Sequence, residues 1–92
     1  MRALIVKEPW ATQIVTGKKK IEYRSQSTNI RERIGMISAG SGTIIGEVNL
    51  DGATWSIKEG VCFWYLSKPQ KYKIARHYKH PRGAQIWVII RS

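Results

Sequence analysis

The apolar residues of this 92-residue chain come in runs of strand length, and only one stretch carries helical spacing. Ala3-Leu4-Ile5-Val6, the segment from Val61 to Leu66 and the segment from Ile86 to Ile90 are each bounded by charged or turn-forming residues. A run this short can bury a strand but not an ordinary helix, and none approaches the ~20 apolar residues that a bilayer-spanning helix needs. The exception begins at Pro9, which suits a first helical turn. Trp10, Ala11, Ile14 and Val15 then fall on one helical face, and Gly17 is placed to end it. A helix of about two turns has no stability of its own, so packing must hold it. Its buried face is expected to include Trp10.

Elsewhere the pattern is β. Lys18-Lys19-Lys20 leads into Ile21-Glu22-Tyr23-Arg24, where period-two alternation puts Ile21 and Tyr23 towards the core and Glu22 with Arg24 on the opposite face. Ser25 to Asn29 reads as a polar loop. Strands are expected over Arg33 to Ala39, Thr43 to Leu50, Val61 to Leu66, Tyr72 to Ile74 and Gln85 to Arg91, with turns at Gly40-Ser41-Gly42 and Asp51-Gly52. Ala53 to Gly60 reads as a connector, Lys68-Pro69 as a strand end, and His77 and His80 as loop residues. The expectation is a mainly β (α+β) fold: five to six strands and one short N-terminal helix, closed into a small barrel because closure removes sticky edges. At this length one domain spanning 1–92 with one core is expected.

Composition narrows the function classes. An apolar share of 42% with Trp 4 and Tyr 4 argues against disorder. Lys+Arg 16 against Asp+Glu 6 gives a formal charge of +10, which favours polyanionic partners. The first ten residues lack the apolar stretch and cleavage site of a signal peptide. The lone Cys62 allows no intramolecular disulfide, which fits a reducing, cytoplasmic setting. With two histidines and one cysteine no standard zinc site can be assembled, and no cofactor or membrane contact is expected.

Gly17-Lys18-Lys19-Lys20-Ile21-Glu22-Tyr23-Arg24 fits G-x-K-x-x-E-x-R. Upstream, Leu4 to Ala11 is similar to the strand-then-"Q-P-W-A" opening of ASCH domains, the activating-signal-cointegrator homology family. Downstream, Gly46-Glu47-Val48 resembles that family's "G-E-V" strand. Trp64 to Pro69 resembles its "W-x-L-x-x-P" segment, and Pro81 to Trp87 its "P-x-x-G-x-Q-x-W" closing strand. The resemblance implies a PUA-like barrel with a cleft beside its first helix. It places the G-x-K-x-x-E-x-R residues in that cleft, with RNA or a nucleotide-like ligand as partner. Some family members are hydrolases, either amidohydrolases on acetylated cytidine or ribonucleases. In the amidohydrolase branch a Thr stands where this chain has Glu22, and a longer helical insert carries a Glu for which Glu59 is the loose counterpart here.

Each residue has a plainer reading beside the functional one. Lys19 is either the cleft lysine or one of three solvated lysines after a helix end. In an ideal strand Lys20, not Lys19, would share the face of Glu22 and Arg24, so which of the two enters the cleft is open. Glu22 and Arg24 are either a base- and phosphate-reading pair or a surface ion pair. Trp10 could stack on a base or serve the core. Trp64, Trp87 and Phe63 read as core, Cys62 as an inert thiol, and Glu47 as either a second cleft carboxylate or an outward strand residue. Ser38 and Ser41 show no triad partners. His77 and His80 could act as acid and base but read better as part of a basic segment, in which Lys79 and Arg82 would meet phosphates.

Three function classes remain. The first is a nucleic-acid-binding module, with RNA preferred over DNA because one unpaired base fits a cleft better than a duplex does. In that reading Lys19, Arg24, Trp10, Lys20, Lys79 and Arg82 make the contacts. The second is a hydrolase in which Lys19 and Glu22 are catalytic. The third is a module that docks an acidic protein. Oligomeric state is not legible.

Overall fold

A computed structural model describes residues 1–91. Seven elements follow in order: β1 (Arg2–Val6), α1 (Trp10–Val15), β2 (Ile21–Arg24), β3 (Arg33–Ser38), β4 (Thr43–Ser56), β5 (Val61–His77) and β6 (Trp87–Ile89). The strands form one mixed sheet in the order β2-β5-β4-β3-β1-β6, with β1 parallel to β3 and the other pairs antiparallel. The helix among the described residues is far too short to cross a membrane.

The expected barrel does not close. β2 pairs with β5 alone and β6 with β1 alone, so the sheet stays open at both edges. It is nevertheless strongly curled, because Trp64 of β5 stacks on Trp87 of β6 with ring centroids 5.9 Å apart. A side chain also crosses the seam where backbone ladder bonds would run: Arg24 Nη2 of β2 donates to the Ile5 carbonyl of β1. With only four residues, β2 is too short to carry the ladder across.

One core was expected; the buried residues fall into two clusters. Leu4, Val6, Ile34, Met36, Val48, Leu50 and Trp64 pack with Ala11, Ile14 and Val15 of α1. Ala3, Ile37, Ile44 and Val88 form a second, smaller cluster. The reason is the parallel β1–β3 pair: both strands are apolar at successive positions and are covered on both faces, as parallel strands usually are.

Strands β4 and β5 are much longer than the alternation indicated. Ala53 to Ser56 is strand rather than connector, and β5 runs through Lys68-Pro69 to His77. Three register shifts in the β4–β5 ladder absorb the irregularity, and Lys68 takes a positive φ of 49°. Arg33 braces that bend: its Nη1 donates to the Lys68 carbonyl (3.0 Å) and to Asn49 Oδ1 (3.0 Å), while its Nε donates to Glu47 Oε1 (2.6 Å). Tyr72 OH donates to the other oxygen of Glu47. Glu47 is thus a clasp between strands.

Helix α1 is anchored at both ends. No side chain caps it from the N-cap position Pro9, and Glu8 supplies the missing acceptor. Its Oε1 accepts from the Thr12 amide (3.0 Å), and its Oε2 from the hydroxyls of Thr12 and Ser38. At the other end Gly17 adopts φ +84°, and the amides of Lys18 and Lys19 turn back onto the Gln13 carbonyl.

These two carboxylates predict an acid limit to stability. Partial burial pushes the Glu8 carboxyl up, but the bonds from Thr12 and Ser38 outweigh it and hold it below its ordinary value of 4.5. For Glu47 the bond from the Tyr72 hydroxyl outweighs the upward push of burial, and the Arg33 guanidinium lowers the carboxyl further. A depressed carboxyl binds protons less readily in the folded chain than in the unfolded one. Its contribution is therefore complete above about pH 4.5 and lost as the pH falls below it. Melting temperature should hold between pH 7 and 5 and drop from pH 4.5 to 3. A Glu8→Gln/Glu47→Gln variant should start lower and lose less on acidification; equal acid losses in the two proteins would refute the assignment.

Candidate functional site

The cleft lies where β2, the end of β1 and the start of α1 meet. Its volume is about 520 Å³, and its walls include Ile5, Lys7, Trp10, Lys19, Glu22, Tyr23, Arg24 and Gln85. Three cations therefore surround one carboxylate. The alternation in β2 is the reverse of the expectation: Glu22 is the buried residue, at 8% exposure, while Tyr23 is 54% exposed. β2 is an edge strand whose inner face looks into the cleft instead of an apolar core, so a carboxylate can point inwards there.

Glu22 and Arg24 form a rigid pair. Arg24 donates from Nε to Glu22 Oε2 (3.0 Å), and its Nη2 makes an ion-pair contact with the same oxygen at 2.9 Å. Its Nη2 also donates to the Ile5 carbonyl at 2.9 Å, and its guanidinium carbon lies 5.7 Å from the centre of the Trp64 ring. Among the described residues, no protein partner is found for Glu22 Oε1 or Arg24 Nη1. The pair therefore holds one carboxylate oxygen and one guanidinium nitrogen that no described residue engages, on side chains fixed by each other. An acceptor and a charged donor of this kind can meet the polar edge of a planar group such as a nucleobase.

Lys19, not Lys20, enters the cleft. The chain is still turning off the helix at Lys19, and β2 begins only at Ile21, so strand alternation does not yet apply. Lys19 Nζ sits 4.3 Å from the centre of the Tyr23 ring at the cleft mouth. Lys20 lines only the neighbouring depression with Gly17, Lys68 and Pro69, which Lys19 also borders. Trp10 is 47% exposed and forms a wall of the cleft, which corrects its assignment to the core. As the first residue of α1 it sits where the chain enters the helix, while Ala11, Ile14 and Val15 take the buried face.

The remaining predicted residues are elsewhere. Lys79 lines another groove with Arg76, His77, Tyr78 and Arg91. Arg82 is exposed in the loop before β6 and lines neither that groove nor the cleft. Glu59 is exposed at the β4–β5 turn, Glu47 is engaged with Arg33 and Tyr72, and His77 belongs to β5. His80 Nε2 lies 3.0 Å from the Ala84 carbonyl and Nδ1 2.8 Å from Tyr78 OH; the carbonyl can only accept, so Nε2 donates to it. Cys62 is buried and unpaired. Trp64 is buried, whereas Phe63 is only half-buried. Among the described residues no three His, Cys, Asp or Glu side chains gather as a metal-binding group.

Sequence reasoning missed Lys7 and Gln85 as cleft residues. Gln85 had a signal, since it is the Q of the closing segment Pro81 to Trp87 that resembles the family; Lys7 had none beyond its position at the end of β1.

The family model for the ASCH domain matches residues 4–82. This chain belongs to the ASCH domain family. Two crystal structures of ZmASCH from Zymomonas mobilis share the fold of this ASCH domain at 15% identity: a serine-to-alanine mutant, with a TM-score of 0.74 over 98% of this chain and 87% of that one, and a tyrosine-to-phenylalanine mutant, at 0.71 over 98% and 89%. No curated protein matches the chain. Of the five segments that resembled the family, three reach one cleft: the opening through Trp10, the β2 motif, and the closing segment through Gln85.

Proposed function

We propose that this ASCH domain binds RNA by taking one unpaired nucleotide into the cleft. The observation that carries this reading is the fixed Glu22–Arg24 pair, with one carboxylate oxygen and one guanidinium nitrogen left without protein partners. Glu22 Oε1 accepts from a base N–H, Arg24 Nη1 donates to the neighbouring ring nitrogen or carbonyl, and Trp10 offers a stacking face. Lys19 and Lys7 stand at the mouth, where a phosphate would pass. The excess of ten positive charges supplies the long-range attraction. The buried thiol of Cys62 suits the cytoplasm, where such RNA is met.

The test is a salt titration of binding to a fluorescent single-stranded RNA. Affinity should fall linearly on a log–log plot, with a slope of about −0.7 per phosphate engaged. Lys19→Ala should weaken binding by about tenfold, from loss of a charge-assisted contact. Lys18→Ala, an exposed lysine outside the cleft, should cost about threefold or less. A flat salt response would refute the reading. Hydrolysis of N4-acetylcytidine or of RNA that Lys19→Ala abolishes and Lys18→Ala retains would replace it with a hydrolase, in which Lys19 and Glu22 are the catalytic residues.

A further inference from the structure

We infer that the outward face of β2 and β5 is a stacking platform for nucleotides flanking the one held in the cleft, so that the protein engages a single-stranded RNA segment and not an isolated base. This rests on the cleft reading above and extends it. The ladder pairs Tyr23 with Phe63 and Ile21 with Tyr65, which puts all four side chains on one face. The alternate residues of β5, Cys62, Trp64 and Leu66, are buried on the other face. Tyr23 and Tyr65 are 54% and 38% exposed, and Tyr23 meets Phe63 edge-on with centroids 5.4 Å apart.

Among the described residues, neither apolar cluster includes Ile21, Tyr23, Phe63 or Tyr65. Across from Tyr65 on β4 stands Gly52, so the tyrosine ring lies over bare backbone, with Cδ2 3.5 Å from where a Cβ would be. The platform is continuous with the cleft, because Tyr23 and Lys19 belong to both. Its chemistry selects the occupant. Flat aromatic surface edged by ammonium groups suits stacked bases joined by phosphates. The lysine run that precedes Ile21 leads into this face and Lys19 Nζ lies over the Tyr23 ring, so its edge is cationic and favours a polyanion over a protein of ordinary charge. A strand leaving the cleft past Tyr23 would lay its next bases on Phe63 and Tyr65.

The experiment compares fluorescein-labelled homohexamers of U, C and A with the corresponding nucleoside 5′-monophosphates. The preferred hexamer should bind at least tenfold more tightly than its monophosphate. Tyr65→Ala should weaken hexamer binding by about tenfold and leave monophosphate binding unchanged; Tyr65→Phe, which keeps the ring, should restore the hexamer. Tyr65→Leu keeps apolar bulk for folding without a π-face, and should match Tyr65→Ala. If Tyr65→Ala and Tyr65→Leu bind hexamers as the wild type does, or if the hexamer gains nothing over the monophosphate, the platform is refuted. Failure of the cleft reading looks different: monophosphate binding would be absent, or indifferent to Glu22→Gln.

Discussion

A Gly46→Ala variant is expected to melt roughly 10–20 °C below the wild-type protein. Gly46 lies in β4 directly beneath α1. A Cβ there would sit 2.8 Å from Val15 Cγ1 and inside the contact radius of the Gln70 carbonyl oxygen on β5. The first collision pushes the helix off the sheet, and the second involves backbone that cannot rotate away. Overpacking of this kind costs about 2–3 kcal/mol. The helix gains little from its own six residues, so a displaced α1 has no other means of staying folded. Because Trp10 rides on the first turn, RNA binding should weaken as well. Gly52→Ala is the control: its Cβ meets Tyr65 at an ordinary 3.5 Å, and melting should move by only a few degrees, roughly. A Gly46→Ala protein that melts with the wild type would show that α1 does not rest on that glycine.

Arg24→Lys is expected to cost roughly 10–100-fold in RNA affinity although the charge is kept. The guanidinium holds the Glu22 carboxylate through two nitrogens and the Ile5 carbonyl through one of them, with an edge left for the ligand. An ammonium on a flexible stem cannot meet those acceptors in one plane and still face the cleft. Arg24→Met goes further, leaving the Glu22 carboxylate nearly buried without a cation. Full burial would cost about 3–5 kcal/mol; with the arginine still partly in contact with water, about 2 kcal/mol is the better expectation. Combining Arg24→Met with Glu22→Gln should recover part of that stability without recovering binding. Retained affinity in Arg24→Lys would mean that simple charge, not the planar fork, attracts the RNA.

The two variants test different layers of one arrangement. Gly46 allows the helix to dock, and the docked helix brings Trp10 and Lys19 to the strand that carries Glu22 and Arg24. An RNA-binding protein that reads a base needs its donors and acceptors in place beforehand, since every side chain frozen on binding subtracts from affinity. Here the immobilisation is done by folding.

The amino-acid sequence by itself determined the class of fold, the single short helix with its Gly17 stop, all six strands in outline, the basic character and the motif in β2. These are local matters: turn residues, runs of apolar side chains and net charge act over a few positions and can be read there. Strand length was not local. Ala53 to Ser56 and the stretch beyond Pro69 are strand because β4 and β5 hold each other through bulges, with Arg33 bracing the bend at Lys68. The direction of the β2 side chains was decided the same way. Alternation says that Glu22 and Tyr23 point to opposite sides, but only the curl of the sheet decides which side is the cleft, and it turned the acid inwards. Closure, too, depended on the whole molecule: whether two distant edges pair or are joined by Arg24, Trp64 and Trp87 is settled by how far β2 extends, which no run of residues states on its own.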